Sequence, residues 1–402
     1  MVLHRNRVRG LFRETDVIKP LSLFFTLEEN SMSEGTSKAV KDAINIWAES
    51  TPSDFEENAR RYRETLFKKL VFILVCIVIA IMAMGVSMTI GEYNISFLES
   101  YETLWNHITG NIQDSTKDRV IWGIRMPRVM GGLIAGAGLA VAGVAMQSIL
   151  KNPLADTYTT GISSGASLGA TLAICSGITL FAGTYSLILN AFIFSLIPTS
   201  MILMISKMKG VSPTVVILGG VAVMYFFNAI TTVLKLWAEA ESLAQVYSWS
   251  VGSLTGLGWP DIAVMAIFVV SGTLLIQIMS KKLNVLATGD ESAKALGIDA
   301  STMRSLCLGA TALMAAAIVC FTGLIGFIGL VCPHVARMFV GSDNRYLIPA
   351  SAMFGAAFLL FADVVGRMVF APAVMEVGVI TAFIGGPMFV YMILRQRKLG
   401  WW

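Results

Sequence analysis

Charge is what this chain lacks most. Of its 402 residues only 14% are Asp, Glu, Lys or Arg, where a soluble domain carries about 25%. The deficit is uneven: residues 1–69 hold 12 of the 30 cations and 11 of the 26 acids. A body with so few charges cannot cover itself against water, which excludes a soluble enzyme, a nucleic-acid binder and a disordered chain. Cysteine is scarce too. Cys76, Cys175, Cys307, Cys320 and Cys332 stand singly in apolar runs, without a C-x-x-C pair. Their odd number argues against a disulfide framework, and they read as small buried hydrophobes. His4, His107 and His334 lie far apart, so no metal centre is expected. The chain contains no Gly-Lys dipeptide, so the phosphate-cradling G-x-x-x-x-G-K-[ST] loop is absent and the chain cannot hold ATP in such a loop of its own. No serine sits in a nucleophile elbow. No catalytic residue and no cofactor is expected.

What is present is apolar: 55% of the residues are hydrophobic. A helix needs about 20 such residues to cross about 30 Å of hydrocarbon. Runs of this kind occur at 70–90, 129–149, 161–181, 185–205, 213–235, 262–279, 303–322, 347–366 and 376–394, with a shorter one at 329–341. The expectation is an all-α membrane protein of about ten spans. In GLIGFIGLVCPHVAR, Gly323, Gly326, Gly329 and Pro333 crowd together, which predicts a broken helix there. Gly132 and Gly136, Gly161 and Gly165, and Gly165 and Gly169 are each four apart. That spacing lets membrane helices approach closely.

Lys and Arg give the sidedness, since cytoplasmic connections carry the excess. Arg60, Arg61, Arg63, Lys68 and Lys69 precede the first run and place the N-terminus in the cytoplasm. Ten spans return the C-terminus to the same side, with Arg395, Arg397 and Lys398. Six cations lie on the outer side, Lys117, Arg119, Arg125, Arg128, Lys235 and Arg367, and among them the arginines Arg125, Arg128 and Arg367 stand out at the outer ends of their spans. Either they form an outward-facing site for an acidic partner or anionic substrate, or they snorkel to headgroups and pair with local acids such as Asp363.

Between the sixth and seventh spans lies ATGDESAKALGID. Thr288 and Glu291 have capping-box spacing, Asp290 and Glu291 suit a helix start, and Gly297 suits its end. A short helix over about 289–296 is expected, either a docking element for a cytosolic partner or a capped surface loop.

Six stretches, taken together, resemble the permease subunits of ABC importers for iron–siderophore complexes, haem and cobalamin. They are RMPRV (125–129), GAGLAVAGVAMQSILKNPLADTYTTGISSGAS (136–167), ATGDESAKALGI (287–298), GFIGLVCPHVAR (326–337), LLFADVVGR (359–367) and GVITAFIGGPMFVYMIL (378–394). The resemblance covers about residues 66–398, a transmembrane permease domain. It implies the type II importer fold: a homodimer in membrane lipid around one path, with ABC ATPase subunits beneath and an extracytoplasmic substrate-binding protein above. It implies that Arg125, Arg128 and Arg367 dock the binding protein. It also implies that Thr288, Asp290, Glu291, Ala293, Leu296 and Gly297 couple to the ATPase. The path would run along the fifth helix and the short helix after it, with Met224, Phe227, Asn228, Thr231, Thr232, Tyr247 and Ser250 as lining candidates.

Residues 1–65 depart from that family pattern as a polar cytoplasmic extension, read as a weakly ordered tail in which 37–49 could form one amphipathic helix; Met32 is an alternative start. The competing function is an ion-coupled secondary transporter, which would need coupling carboxylates near mid-membrane.

Overall fold

The computed structural model describes residues 52–208, 211–369 and 373–398. The expected amphipathic helix at 37–49 lies outside them. The chain divides into Met1–Leu66 and Phe67–Trp402, and the second unit carries the architecture. All its regular elements among the described residues are helical.

The helices are α1 Pro52–Thr89, α2 Phe97–Thr109, α3 Ser115–Asp118, α4 Met126–Leu150, α5 Ile162–Ser176, α6 Ser186–Lys207, α7 Pro213–Leu236, α8 Ala240–Val251, α9 Trp259–Ile278, α10 Ser280–Thr288, α11 Asp290–Ala295, α12 Ala300–Thr322, α13 Ile328–Val340, α14 Asn344–Met368 and α15 Val377–Lys398. Seven regions among the described residues are long and apolar enough to cross a membrane, and they involve α1, α4, α6, α7, α9, α12 and α14. Three shorter apolar stretches, α5, α13 and Val377–Tyr391 of α15, complete the ten expected from hydropathy.

Of these three, α5 and α13 are short because the chain breaks inside the protein. α12 stops at Thr322, Gly323 and Phe327 both take positive φ, and α13 restarts at Ile328. The break expected within GLIGFIGLVCPHVAR therefore falls at its glycine-rich start, 323–327, and Pro333 lies within α13. Before α5, residues 151–161 are mostly non-helical, and Ala155, Asp156, Thr157 and Thr160 are buried. Irregular backbone at that depth is tolerated only where protein surrounds it.

Helix α4 is the hub. Its apolar segment is 78% buried, against 22% for α1, so α4 is enclosed by protein while α1 is left for lipid. Glycine makes the enclosure possible. A Cβ on Gly136 would lie 2.3 Å from the carbonyl oxygen of Gly355 on α14, and one on Gly143 only 2.0 Å from that of Gly329 on α13. Backbones approach this closely only where neither residue has a side chain. The four-residue glycine spacing is thus a packing device.

Candidate functional site

Two ends of the bundle carry the groups that the sequence marked. Helix α14 runs between them, 25 residues or roughly 37 Å at 1.5 Å per residue.

At one end the π-helical turn Arg119–Arg125 leads into α4, with Pro127 in its first turn, where a missing N–H costs nothing. Arg125 is buried, 7% exposed. It donates to the carbonyl of Tyr93 at 2.5 Å and to that of Met88. Gly91 leaves room for it, since a Cβ there would sit 2.8 Å from Arg125 Nη2. Arg128 donates through Nε and Nη2 to Asp363 Oδ1 at 3.0 and 2.8 Å, and through Nη1 to Thr255 Oγ1 at 3.0 Å. Arg367 Nη2 lies 2.7 Å from Asp363 Oδ2. Its Nη1 donates to the carbonyl of Ser87 at 3.1 Å, and its Nη2 to Ser87 Oγ at 2.5 Å.

All three arginines are therefore engaged within the fold, joining α4, α14, the end of α1 and the α8–α9 connection. The pairing with Asp363 that the sequence left open is present for Arg128 and Arg367. Asp363 lies five residues before the end of α14, away from the middle of that helix. Only this one carboxylate forms ion pairs with the trio among the described residues, so positive charge remains in excess.

At the other end α9 is followed by α10 and α11. Here the structure corrects the local expectation. The capping box does not form: Gly289 occupies the N-cap of α11 with φ +148 and no side-chain cap, while Thr288 Oγ1 donates backward to the carbonyl of Val285 at 2.7 Å. Thr288 instead ends α10, a helix that hydropathy does not distinguish from a connection. Gly297 closes α11 as expected, with φ +73 and its N–H on the Lys294 carbonyl at 3.0 Å. Leu283, Leu286 and Ala293 are buried anchors. Thr288, Glu291 and Gly297 are exposed and Leu296 is 68% exposed. Asp290 is half-buried and turns inward to Lys151 and Arg304. A groove of about 910 Å³ opens beside these residues, lined in part by Lys207, Pro213, Lys294, Asp299 and Arg304.

A third set lies on α7 and α8. Phe227 and Thr231 are each 4% exposed and belong to the core of the chain, so their side chains do not reach an open face. Asn228, Thr232 and Tyr247 are exposed, and Met224 and Ser250 are half-buried. Tyr225 and Phe226, which sequence reasoning passed over, are 68% and 59% exposed beside them. The helical period explains the division: 227 and 231 share a face, one turn apart.

The model of the FecCD transport family matches residues 73–395. The chain belongs to the FecCD transport family. It is 38% identical to the hemin transport system permease protein HmuU of Yersinia pestis, over 80% of this chain and 94% of that one. It is 33% identical to the Fe(3+)-citrate import system permease protein YfmD of Bacillus subtilis, over 82% and 96%. A solved structure described as an inward-facing metal-chelate type ABC transporter superposes with a TM-score of 0.71 at 27% identity, covering 80% of this chain and 98% of its own. This FecCD member is thus the permease subunit of an ATP-binding-cassette importer, a multi-pass membrane protein. It is a transport subunit, and the ATPase is carried by a partner subunit.

Two residues of the α11 end went unmarked in the sequence. No spacing signal connects Lys151 and Arg304 to Asp290 across 139 and 14 residues.

Proposed function

We propose that this FecCD permease works as a homodimer that imports an iron chelate, a siderophore complex or haem, with cobalamin as the second choice. The relatives named for hemin and Fe(3+)-citrate support the first choice; the cobalamin import permease BtuC of Halobacterium salinarum, 37% identical over 71% of this chain, supports the second. Both termini lie in the cytoplasm, together with α10 and α11, because the lysine- and arginine-rich connections share that side.

The observation that carries the reading is the opposition of two unlike ends. One holds three arginines around a single ion-paired carboxylate, which leaves positive charge to attract acidic groups of an extracytoplasmic binding protein. Arg128 is the contact residue, 17% exposed at its side chain. Arg125 and Arg367, more deeply held, supply field and shape. The other end presents Glu291, Leu296 and Gly297 on a short helix anchored from behind by Leu283, Leu286 and Ala293. An exposed leucine on a rigid, capped projection suits a cleft on an ATPase subunit.

Between the ends, Met224, Asn228, Thr232, Tyr247 and Ser250 line the path between the two copies, and Phe227 and Thr231 back them from the core. None of these is charged, so the wall passes a bulky chelate without holding it. Tilting of α7 and α8, driven from α11, opens the path to each side in turn.

Uptake in cells carrying the double reversal Arg125→Glu with Arg128→Glu tests the docking role: uptake that depends on the binding protein is lost. Its survival overturns that role. Purified chain in liposomes moves no solute without the ATPase, and movement there overturns the importer reading.

A further inference from the structure

Helix α4 ends on a strained residue. Lys151 takes φ +50, a left-handed conformation that glycine or asparagine adopts at less cost. Phe327 is the other non-glycine residue at positive φ among those described. Such a conformation persists only where surrounding contacts hold it. The lysine does what glycine could not. Its Nζ lies 2.6 Å from Asp290 Oδ1, at the first residue of α11.

The other oxygen of Asp290 is held as well. Arg304, near the start of α12 and 2% exposed, donates through Nη2 to Asp290 Oδ2 at 2.9 Å. Its Nε reaches the carbonyl of Ile149 at 3.4 Å, two residues before Lys151. Burial pushes the Asp290 carboxyl up, but the hydrogen bonds from Lys151 and Arg304 outweigh that and hold it below the usual carboxylate range. The group stays ionised and its two partners stay engaged.

The other support of α11 is apolar, Ala293 in the core, while α10 is held by buried Leu283 and Leu286 and by Asn284, which donates to Asp343 Oδ1 at 2.7 Å and accepts from the Asn344 N–H at 2.8 Å at the start of α14. Apolar contacts are non-directional and let surfaces slide. A carboxylate held by a cation on each oxygen is directional, so movement of Asp290 along α11 pulls on both helices that hold it. Helix α4 is enclosed by protein over most of its length, and its far end bears Arg128.

We propose that Lys151 and Arg304 are positioning residues that carry the movement of α11 into α4 and α12, so that docking at one end is felt at the other. This rests on the reading of α10–α11 as the ATPase-docking element. In this form Lys151 is kept at a conformationally costly position because its charge, and not its backbone, is needed there.

The test uses the complete importer, with the permease, its ATPase subunit and its binding protein in liposomes. It reads ATP hydrolysis with and without the binding protein. Lys151→Gly removes the cation and relieves the left-handed strain, so the protein melts no lower than wild type, retains the ATPase subunit and hydrolyses ATP at the basal rate. The stimulation by binding protein falls about tenfold, within the range expected for a coupling residue. Lys151→Arg preserves stimulation. Unchanged stimulation in Lys151→Gly, or loss of the ATPase subunit from that variant, overturns the proposal. The docking reading has its own readout: Leu296→Asp releases the ATPase subunit on purification. Its retention there refutes docking, whichever way Lys151→Gly behaves.

Discussion

Asp363→Asn keeps the volume of the side chain and removes its charge. In the native cluster Oδ1 accepts from Arg128 at 2.8 and 3.0 Å, and Oδ2 lies 2.7 Å from Arg367 Nη2. The side chains of Asp363, Arg367 and Arg128 are 1%, 8% and 17% exposed, so little water is at hand to replace the lost carboxylate. Removing one partner of a buried pair strands the other, at about 3–5 kcal/mol. Here two guanidiniums are stranded near a third, which places the loss toward the upper part of that range. An asparagine amide makes matters worse, because its N–H groups face donors. Chemical unfolding of the protein in one detergent measures the loss, with Glu64→Gln of the exposed Arg60–Glu64 pair as a near-silent control. Arg128→Met added to Asp363→Asn removes one stranded charge, so the double variant loses less than the sum of the singles. A loss below about 1 kcal/mol, or singles that add within about 0.5 kcal/mol, refutes the account of this cluster as a buried clasp.

Gly143→Ala places a Cβ 2.0 Å from the Gly329 carbonyl oxygen. α4 and α13 must then part, costing about 1–3 kcal/mol or more. Gly309→Ala meets nothing within 4 Å and gains up to about 1 kcal/mol of helix propensity; melting in detergent ranks the two, and equal melting points contradict the packing. Asp343 accepts from Arg345 and Asn284, and the Arg345 guanidinium first among these holds its carboxyl at about 2. A lowered native pKa gives stability that is present above the unfolded value near 3.8 and lost as pH falls toward 2. The unfolding midpoint of Asp343→Asn therefore falls less steeply than wild type between pH 4 and 2, and parallel curves dismiss the link. For sidedness, a membrane-impermeant thiol reagent added to intact cells labels Ile112→Cys above the wild-type background and leaves Lys281→Cys unlabelled. The reverse pattern inverts the topology.

The ten apolar segments were legible because hydropathy and length are local properties, and lipid imposes them on each helix separately. The family was legible for the same reason, in short stretches such as RMPRV and GFIGLVCPHVAR. The small residues of α4 signalled close packing, but not that Gly136 meets Gly355 and Gly143 meets Gly329. α10 was missed because SKKLNVLAT is mixed in character, and burial of Leu283 and Leu286 stabilises it rather than a cap. Thr288 and Glu291 matched a capping pattern that Gly289 pre-empted.

The sequence alone determined that the chain lives in lipid, roughly where it crosses, and which three arginines stand out. The partners of those arginines, and the hold of Lys151 and Arg304 on Asp290, were decided by the tertiary structure. Asp363 is 235 residues from Arg128 and Asp290 is 139 from Lys151. A charge pair at such a separation leaves no periodic trace along the chain, since its geometry depends on how whole helices pack. Periodicity also could not say which face of α7 is open, because Phe227 and Thr231 differ little in character from their exposed neighbours Phe226 and Thr232; only the contacts of α7 with the rest of the bundle bury them.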